Sequence, residues 1–528
     1  MSNSENNKRI AKNTILLYFR MLLTMGVSLY TSRVVLNTLG VEDFGIYNVV
    51  GGVVMMFSFL NSSMSSATQR FLSFELGKQD YLQLKKVFSM SVNIHAIIAI
   101  VIFILAETVG LWFLNAKLVI PAERMNAANW VYQFSILSFM LTVMNVPYNA
   151  TIIAHERMSV YAYVSIVEAI LRLIIVLALV WLGFDKLKLY AVLVFGVSAI
   201  VWILYKIYCK RNFTEINYHF FWEKSLYKTL MNYAGWNLFG NIAGVTFNQG
   251  INIMLNIFFG PAINAARGIA YQINGTVNGF VSNFQMAVNP QIVKSYAADD
   301  LKYMHQLIFQ GAKYSFFLLY ILSLPILLET DIILKLWLEK VPEYTVIFTK
   351  LIFINLLIDS LSGTLIASAQ ASGRIKLYQS IVGGLLILNL PISYFLLMLE
   401  FQPQVTLYVA IIISIIALLF RLYILNLLIN LSIKHFFKVV IFSALKISLF
   451  SLLLSYFIWT KMDYGFSRLY TTSLLSITLT ILSIYYFGLN KNEKKYIDLK
   501  IFSTIVFIKQ KLSNKYEKEH IKSDMGEK

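Results

Sequence analysis

Charged residues, cysteine and recognisable catalytic motifs are all scarce in this chain. Asp, Glu, Lys and Arg make up only 14% of its 528 residues, whereas 58% are hydrophobic. The single cysteine, Cys209, excludes a disulfide framework and a cysteine metal cluster. The six histidines show no H-E-x-x-H spacing, and no G-x-x-x-x-G-K-[ST] sequence occurs. We therefore expect no enzyme, no resident metal and no organic cofactor.

Long hydrophobic runs take the place of such motifs. A soluble chain could not bury this much apolar surface, so the composition indicates an integral membrane protein. A helix needs about 20 apolar residues to cross the hydrocarbon core, and the alternation over about 10 residues that is typical of membrane β-strands is absent. Runs of this length predict an all-α protein with about fourteen spans. They lie near residues 13–36, 44–66, 88–111, 127–149, 160–183, 189–209, 230–258, 262–288, 307–331, 345–368, 378–399, 404–427, 439–460 and 467–488.

The net charge of +18 would suggest a nucleic-acid partner if the chain were soluble. In a membrane protein, the excess of Lys and Arg in cytoplasmic loops explains that charge without nucleic acid. Most Lys and Arg residues fall on the cytoplasmic side when the N-terminus is placed inside. We therefore expect both termini in the cytoplasm. The richness in Ile, Lys, Asn and Tyr further suggests a bacterial inner membrane.

The chain also repeats itself. Residues 13–80 and 232–300 each contain two apolar helices, and they end on Asp80 and Asp300. Six spans separate the starts of the two copies, so both enter the membrane in the same direction, as in a parallel repeat. This predicts two related six-helix lobes, a plan typical of transporters. The expected division is a first lobe at 1–209, a cytoplasmic linker at 210–229, a second lobe at 230–430, an additional helix pair at 431–490, and a basic tail at 491–528 with an amphipathic interfacial helix.

Polar side chains recur at steps of four and seven along spans 7 and 8, so each set shares one helix face. Amides cannot face lipid unpaired. They either hold packed helices together or line a hydrated cavity. The cavity is favoured because the stripes occupy matching elements of the two repeats. The candidate binding amides are Asn241, Asn248, Asn252, Asn274, Asn278 and Gln285.

Three arginines on the proposed cavity helices suggest an anionic substrate. Arg20, Arg33 and Arg267 lie within or near spans, and guanidinium groups match phosphate oxygens in bidentate fashion. Arg20 shares a polar face with residues 24, 28 and 31 of its span, which makes it the best single candidate. Arg33 lies about 140° from that face and reaches the cavity only if the helix bends near Gly26. For Arg33 and Arg267 the alternative is snorkelling to the surface.

Two acidic residues lie deep in predicted spans and are candidates for H⁺ or Na⁺ coupling. Glu168 has Arg172 four residues further along the same helix, so an ion pair between them is the simpler interpretation. Asp359 has no partner that the sequence identifies. It could bind a coupling ion or accept hydrogen bonds, and the sequence does not decide between the two.

Three stretches carry a family resemblance. Residues 32–36, 39–47 with their Gly-x-x-x-Phe-Gly-x-Tyr pattern, and 67–71 resemble the opening of bacterial polysaccharide-transport proteins. These are the O-antigen and capsule repeat-unit flippases of the multidrug/oligosaccharidyl-lipid/polysaccharide (MOP) exporter superfamily. The resemblance implies a MATE-like fold, and it implies transfer of undecaprenyl-diphosphate-linked oligosaccharide to the periplasmic leaflet by alternating access without ATP hydrolysis. It also implies that Arg20, Arg33 and Arg267 meet the diphosphate, with membrane lipids and polysaccharide polymerase machinery as further partners.

Three alternatives remain open at this stage. A MATE-type drug or metabolite antiporter would need acidic residues in its cavity, for which Glu168 and Asp359 are meagre support. A membrane glycosyltransferase or polymerase would need catalytic residues on a sizeable outward loop, and the sequence offers neither. A peptidoglycan-precursor flippase would use the same chemistry on a different glycan, so the sequence does not separate it.

Overall fold

A computed structural model describes residues 3–495 apart from positions 56, 119, 182–183, 339 and 492, together with position 498. The amphipathic helix expected in the tail therefore lies outside the described residues. The first helices are α1 (Asn3–Met55), α2 (Ser58–Lys78), α3 (Tyr81–Leu105), α4 (Leu111–Lys117), α5 (Met125–Ala154), α6 (Met158–Trp181) and α7 (Lys186–Asn212).

A linker with little helix follows α7, and the remaining helices come after it. They are α8 (Lys224–Phe259), α9 (Pro261–Ala297), α10 (Leu301–Trp337), α11 (Thr345–Ser360), α12 (Gly363–Ala371), α13 (Ile375–Tyr378), α14 (Gly384–Met398), α15 (Val405–Ile429), α16 (Ile433–Phe436), α17 (Phe442–Trp459) and α18 (Phe466–Ser483). One-turn π-helices at Ala106–Gly110, Gln379–Gly383 and Phe437–Ile441 continue the helices they join, and Ile484–Gly488 extends α18.

The helices group into segments of membrane length, which confirms the all-α membrane fold. Twelve stretches of the described chain are long and apolar enough to cross a membrane. Two further stretches, residues 41–55 followed by Ser58–Lys78, and Pro261–Ala297, are helical but more polar. Counted with the twelve, they are compatible with the fourteen spans predicted from the sequence. Helix α1 supplies two segments because it is bent at Gly40, where φ is 81° and ψ is 168°.

The backbone repeats itself at equivalent turns of the two halves. Gly40 (φ 81°) and Gly260 (φ 80°) lie between the first two segments of each half, in a conformation that is essentially restricted to glycine. After the second segment, the Asp80 side chain accepts a hydrogen bond from the backbone N–H of Gln83 at 2.9 Å. The Asp300 side chain accepts one from the backbone N–H of Tyr303 at 3.0 Å. The parallel repeat predicted from the sequence is therefore present in the fold.

The last two segments pack on α10 of the second half. Lys313 of α10 pairs with Glu493 at 2.8 Å. Further along α10, the buried Glu329 pairs with Arg468 of α18 at 3.2 Å and accepts a hydrogen bond from Thr472. The Glu329 contacts hold α18 against α10, and the Lys313 pair holds the residues that follow α18 against the same helix.

The lobes contact each other at the face of the bundle where α1 begins, here called the N-terminal face. Near that face, α2 packs closely on the end of α9, since a Cβ on Gly77 would stand 2.6 Å from the Lys294 carbonyl oxygen. Deeper in the membrane, Asn283 of α9 approaches the Met21 sulfur at 3.3 Å. The lobes are thus joined over the half of the bundle next to the N-terminal face.

Candidate functional site

A polar cavity of about 490 Å³ lies inside the first lobe, between the two arms of α1 and helices α6 and α7. Three charged side chains line it: Arg20 from α1 and Glu168 and Arg172 from α6. We call it the Arg20 cavity. Its neutral polar lining includes Thr24, Ser28, Thr31, Asn48, Ser165 and Tyr190. The residues that share a face of α1 with Arg20 in the sequence therefore also share this cavity.

Arg20 is only partly engaged by the protein. Its guanidinium carbon lies 4.7 Å from the centre of the Tyr161 ring, which supports the cation from one side. Its Nε and Nη1 atoms are buried without a hydrogen-bond partner. An unpaired buried donor on a charged group is costly, so an anion that reached these two nitrogens after a small rearrangement would be stabilised by them.

Glu168 and Arg172 form the ion pair that their spacing predicts, with 2.9 Å between Nη2 and Oε1. The Arg172 side chain is nevertheless 41% exposed and that of Glu168 35% exposed, although both lie inside a membrane segment. The pair faces the cavity space. With two guanidinium groups and one carboxylate, the Arg20 cavity has an excess positive charge that suits an anion.

A second cavity of about 340 Å³ adjoins the first and shares Tyr47, Asn48 and Arg172 with it. We call it the hydroxyl cavity, because its polar lining is mainly hydroxyl groups from α5 and α7. These are Ser135, Ser138, Thr142 and Ser198. The sequence analysis missed this cavity, although Ser135, Ser138 and Thr142 are three and four residues apart and therefore share one face of α5.

Arg267 lies in neither cavity. It is 3% exposed and its guanidinium donates hydrogen bonds to Asn252 and Asn248, the latter at 3.4 Å. The Tyr271 ring covers it, with 4.5 Å between the guanidinium carbon and the ring centre. The Arg267 side chain therefore does not snorkel to the surface; it is buried among helices of the second lobe. In this conformation two of the candidate amides accept hydrogen bonds from a buried cation inside the second lobe.

The other candidate amides divide between two environments. Asn241 donates to Ser63 at 2.9 Å and to Ser62 at 3.2 Å, so it joins α8 to α2 across the lobes. Gln285 donates to Ser315 of α10 at 3.3 Å, within the second lobe. On the same helix, Asn274 and Asn278 are partly exposed. Hydrogen bonding between helices thus accounts for Asn241 and Gln285 in this conformation.

Two sequence expectations are corrected by the backbone and its neighbours. Helix α1 departs from helical geometry at Gly40, not near Gly26, so the bend that would carry Arg33 to the cavity is absent from the described helix. The Arg33 side chain itself lies outside the described residues. Asp359, which had no partner in sequence, accepts a hydrogen bond from Asn355 at 2.9 Å and interacts with Arg421.

The sequence did not reveal a charge cluster at the N-terminal face. Glu156, in the loop between α5 and α6, is fully buried and pairs with Arg9 at 2.8 Å and with Lys294 at 2.6 Å. Asn13 donates to the Glu156 carbonyl oxygen at 3.0 Å. Because Arg9 belongs to the first lobe and Lys294 to the second, the Glu156 carboxylate joins the lobes. We call Arg9, Glu156 and Lys294 the Glu156 latch.

A second interlobe contact reinforces this face. Arg70 of α2 donates to the carbonyl oxygens of Ala371 at 2.9 Å and Gln370 at 3.3 Å, where α12 ends. Its guanidinium also lies 4.5 Å from the centre of the Phe74 ring. A cation at a helix C-terminus is favourable because the last carbonyls carry partial negative charge. The two lobes are therefore joined by the ion pairs of the Glu156 latch and by the hydrogen bonds from Arg70 to the C-terminal end of α12.

The fold is that of a multi-pass membrane protein with a polar, positively charged cavity among its helices. A family model described as "Polysaccharide biosynthesis protein" matches residues 10–296, and the chain belongs to that family. A comparison with curated protein sequences finds no match.

Solved structures of MATE transporters show the same fold. An outward-facing multidrug resistance MATE transporter of the MOP superfamily is 13% identical, with a TM-score of 0.69, over 80% of this chain and 96% of its own. The MATE transporter ClbM in complex with Rb⁺ is 15% identical, with a TM-score of 0.68, over 81% and 96%. A mutant of the Vibrio cholerae transporter VcmN is 16% identical, with a TM-score of 0.64, over 80% and 98%. The MATE-like architecture predicted from the sequence is confirmed.

Proposed function

We propose that this transporter is a flippase that moves undecaprenyl-diphosphate-linked oligosaccharide, an O-antigen or capsule repeat unit, from the cytoplasmic to the periplasmic leaflet. The observation that carries the proposal is the excess positive charge of the Arg20 cavity in a member of a polysaccharide biosynthesis family. A diphosphate offers anionic oxygens that accept hydrogen bonds from guanidinium groups. The Nε and Nη1 atoms of Arg20 have no hydrogen-bond partner in the protein and can donate to such oxygens.

The protein works in a bacterial inner membrane with its N-terminal face in the cytoplasm, and the distribution of Lys and Arg supports this orientation. In this orientation the Glu156 latch would close the cytoplasmic side, which is the arrangement that an outward-facing state of the proposed cycle requires. Opening of the latch and approach of the lobes at the other face would give the inward-facing state. Such rocking of two parallel lobes is alternating access.

Energy for outward movement comes from a gradient, because the sequence has no P-loop for ATP. The inside-negative membrane potential favours outward movement of an anion by about 2.3 kcal/mol per charge per 100 mV. Consumption of the product by polymerase machinery outside would add to that driving force. Glu168 and Asp359 are the acidic groups that could add H⁺ or Na⁺ coupling, although the neighbouring Arg172 and Arg421 disfavour a bound cation.

Two other transport functions compete with this one. A MATE-type drug antiporter draws support from the fold of its structural neighbours, but an organic cation would meet two arginines and one paired acid in the Arg20 cavity. A peptidoglycan-precursor flippase would present the same diphosphate anchor. The charge of the cavity therefore argues against the first alternative and is neutral about the second.

The test is transfer between leaflets in vesicles that contain the purified full-length protein. Undecaprenyl-diphosphate carrying an O-antigen-type oligosaccharide, a peptidoglycan precursor and an organic cation are compared in parallel. Faster transfer of the oligosaccharide-bearing lipid than in protein-free vesicles supports the proposal. Transport of the cation alone would overturn it in favour of an antiporter, and transfer of the peptidoglycan precursor alone would assign the other flippase function.

A further inference from the structure

Arg172 stands at the junction of the two cavities of the first lobe and lines both. Its Nε and Nη2 atoms both donate to the same oxygen of Glu168, Oε1, at 3.1 and 2.9 Å. Glu168 thus offers Arg172 a single oxygen, not the two parallel hydrogen bonds of a bidentate pair. An entering anion with several charged oxygens can therefore compete with Glu168 for Arg172.

Arg20 supplies a second positive charge to the same space. It lines the Arg20 cavity together with Arg172, and its Nε and Nη1 atoms have no hydrogen-bond partner. The two guanidinium groups belong to different helices, α1 and α6, so an anion between them would bridge these helices. Arg20 offers donors that have no partner. The donors of Arg172 are bonded to the Glu168 carboxylate, which an anion could replace.

The hydroxyl cavity on the other side of Arg172 favours a different chemistry. Ser138 donates to the Phe134 carbonyl at 2.7 Å, Thr142 to the Ser138 carbonyl at 3.0 Å, and Ser198 to the Val194 carbonyl at 3.1 Å. Each hydroxyl has a single hydrogen, so these groups are left with oxygen lone pairs that accept hydrogen bonds. A cavity rich in acceptors suits a ligand rich in hydroxyl donors. A sugar ring is such a ligand.

We propose that the two cavities together bind a glycosyl phosphate, with the phosphate on Arg172 and Arg20 and the sugar hydroxyls in the hydroxyl cavity. Glu168 is the internal counter-ion that holds Arg172 in the empty site and moves aside when the phosphate enters. The inference rests on the proposed function, since it names the part of the lipid-linked substrate that this site takes. It makes Arg172 a binding residue and Glu168 a competitor of the substrate.

The test uses the purified full-length protein and titration calorimetry with glucose 1-phosphate and inorganic phosphate as probes. Glu168→Gln keeps the side-chain volume and removes the competing charge, so glucose 1-phosphate should bind about twofold more tightly. Arg172→Gln should weaken binding about tenfold or more, and Arg172→Lys should weaken it less. Asp331→Asn is the matched control, because Asp331 pairs with Lys335 four residues away, outside both cavities, and should leave the affinity unchanged.

The sugar half of the site is tested with Ser138→Ala and Ser198→Ala. Each should weaken binding of glucose 1-phosphate and leave inorganic phosphate unaffected. Unchanged or weaker binding of glucose 1-phosphate by Glu168→Gln would overturn the counter-ion role. Serine variants that bind glucose 1-phosphate as tightly as the wild type, or that lose affinity for both probes equally, would overturn the sugar site. If wild-type vesicles still transfer the lipid-linked oligosaccharide in that case, the flippase proposal stands and only this assignment fails.

Discussion

Gly77 and Ala297 occupy equivalent positions of the two repeats and pack against each other at the N-terminal face. A Cβ on Gly77 would stand 2.7 Å from the Ala297 Cβ, closer than side chains tolerate. The ends of α2 and α9 therefore meet on the approximate twofold axis of the protein, and the absence of a side chain at residue 77 permits the contact.

Gly77→Leu should force the N-terminal face open. Overpacking costs about 1–3 kcal/mol, which would shift a two-state equilibrium by roughly five- to a hundredfold. The measurement is labelling of Gln291→Cys, a position now 6% exposed, by an impermeant thiol reagent after Cys209→Ser has removed the native thiol. Labelling should accelerate in Gly77→Leu but not in Gly235→Leu, where a Cβ meets nothing within 4 Å. Equal rates in all three proteins would contradict the role of Gly77.

Glu156→Gln should release the latch while keeping its size. Arg9 and Lys294 would then face each other without the buried carboxylate that now pairs with both, and removing one partner of a buried ion pair costs about 3–5 kcal/mol. The same Gln291→Cys reporter should label faster. Glu400→Gln is the matched control, because Glu400 is also a glutamate at positive φ (62°) in a turn but is exposed. Unchanged labelling in Glu156→Gln would show that the latch does not hold the face shut.

His155 should make the protein sensitive to acid. Burial, together with the positive charges of Lys294 and Arg157, lowers the pKa of His155 from 6.5 to about 3. The folded protein keeps this histidine neutral while the unfolded chain binds a proton below pH 6.5, so stability falls as the pH drops from 6.5 towards 3. At pH 5 the loss is up to about 2 kcal/mol.

Thermal unfolding at pH 7 and pH 5 measures that effect. His155→Gln should lose less stability than the wild type between the two values, whereas replacement of the exposed His435 by Gln should change nothing. Glu215, 3.2 Å from the His155 ring, would favour the protonated form. A wild-type protein as stable at pH 5 as at pH 7 would therefore mean that the pair with Glu215 outweighs burial.

The sequence predicted the architecture because the signals involved are local. Hydrophobic runs set the segments, and acids such as Asp80 and Asp300 cap the same helix start in both repeats. The face shared by Arg20, Thr24, Ser28 and Thr31 follows from helical spacing alone, and the structure places all four on one cavity.

The sequence could not show which residues of other helices pack against each polar helix face. Helical spacing groups Asn248 and Asn252 but does not tell that Arg267, on the next helix, fills the space beside them. Glu156 is a loop residue whose partners Arg9 and Lys294 lie far away in the chain, so its burial depends on how the lobes meet. A glutamate at positive φ (58°) is the one local oddity at that site, and it becomes visible only with the backbone.

The direct measurement is transfer of undecaprenyl-diphosphate-linked oligosaccharide between leaflets by vesicles carrying wild-type protein, Arg20→Lys or Arg20→Ala. Lost charged hydrogen bonds of about 1.5–3 kcal/mol predict a fall of roughly ten- to a hundredfold for Arg20→Ala, with normal insertion and thermal stability. Arg20→Lys should retain part of the rate because it keeps the charge but loses the fork of donors. Replacement of the exposed Arg211 by Ala is the control and should transfer normally. A wild-type rate in Arg20→Ala would contradict a diphosphate anchor in the first lobe.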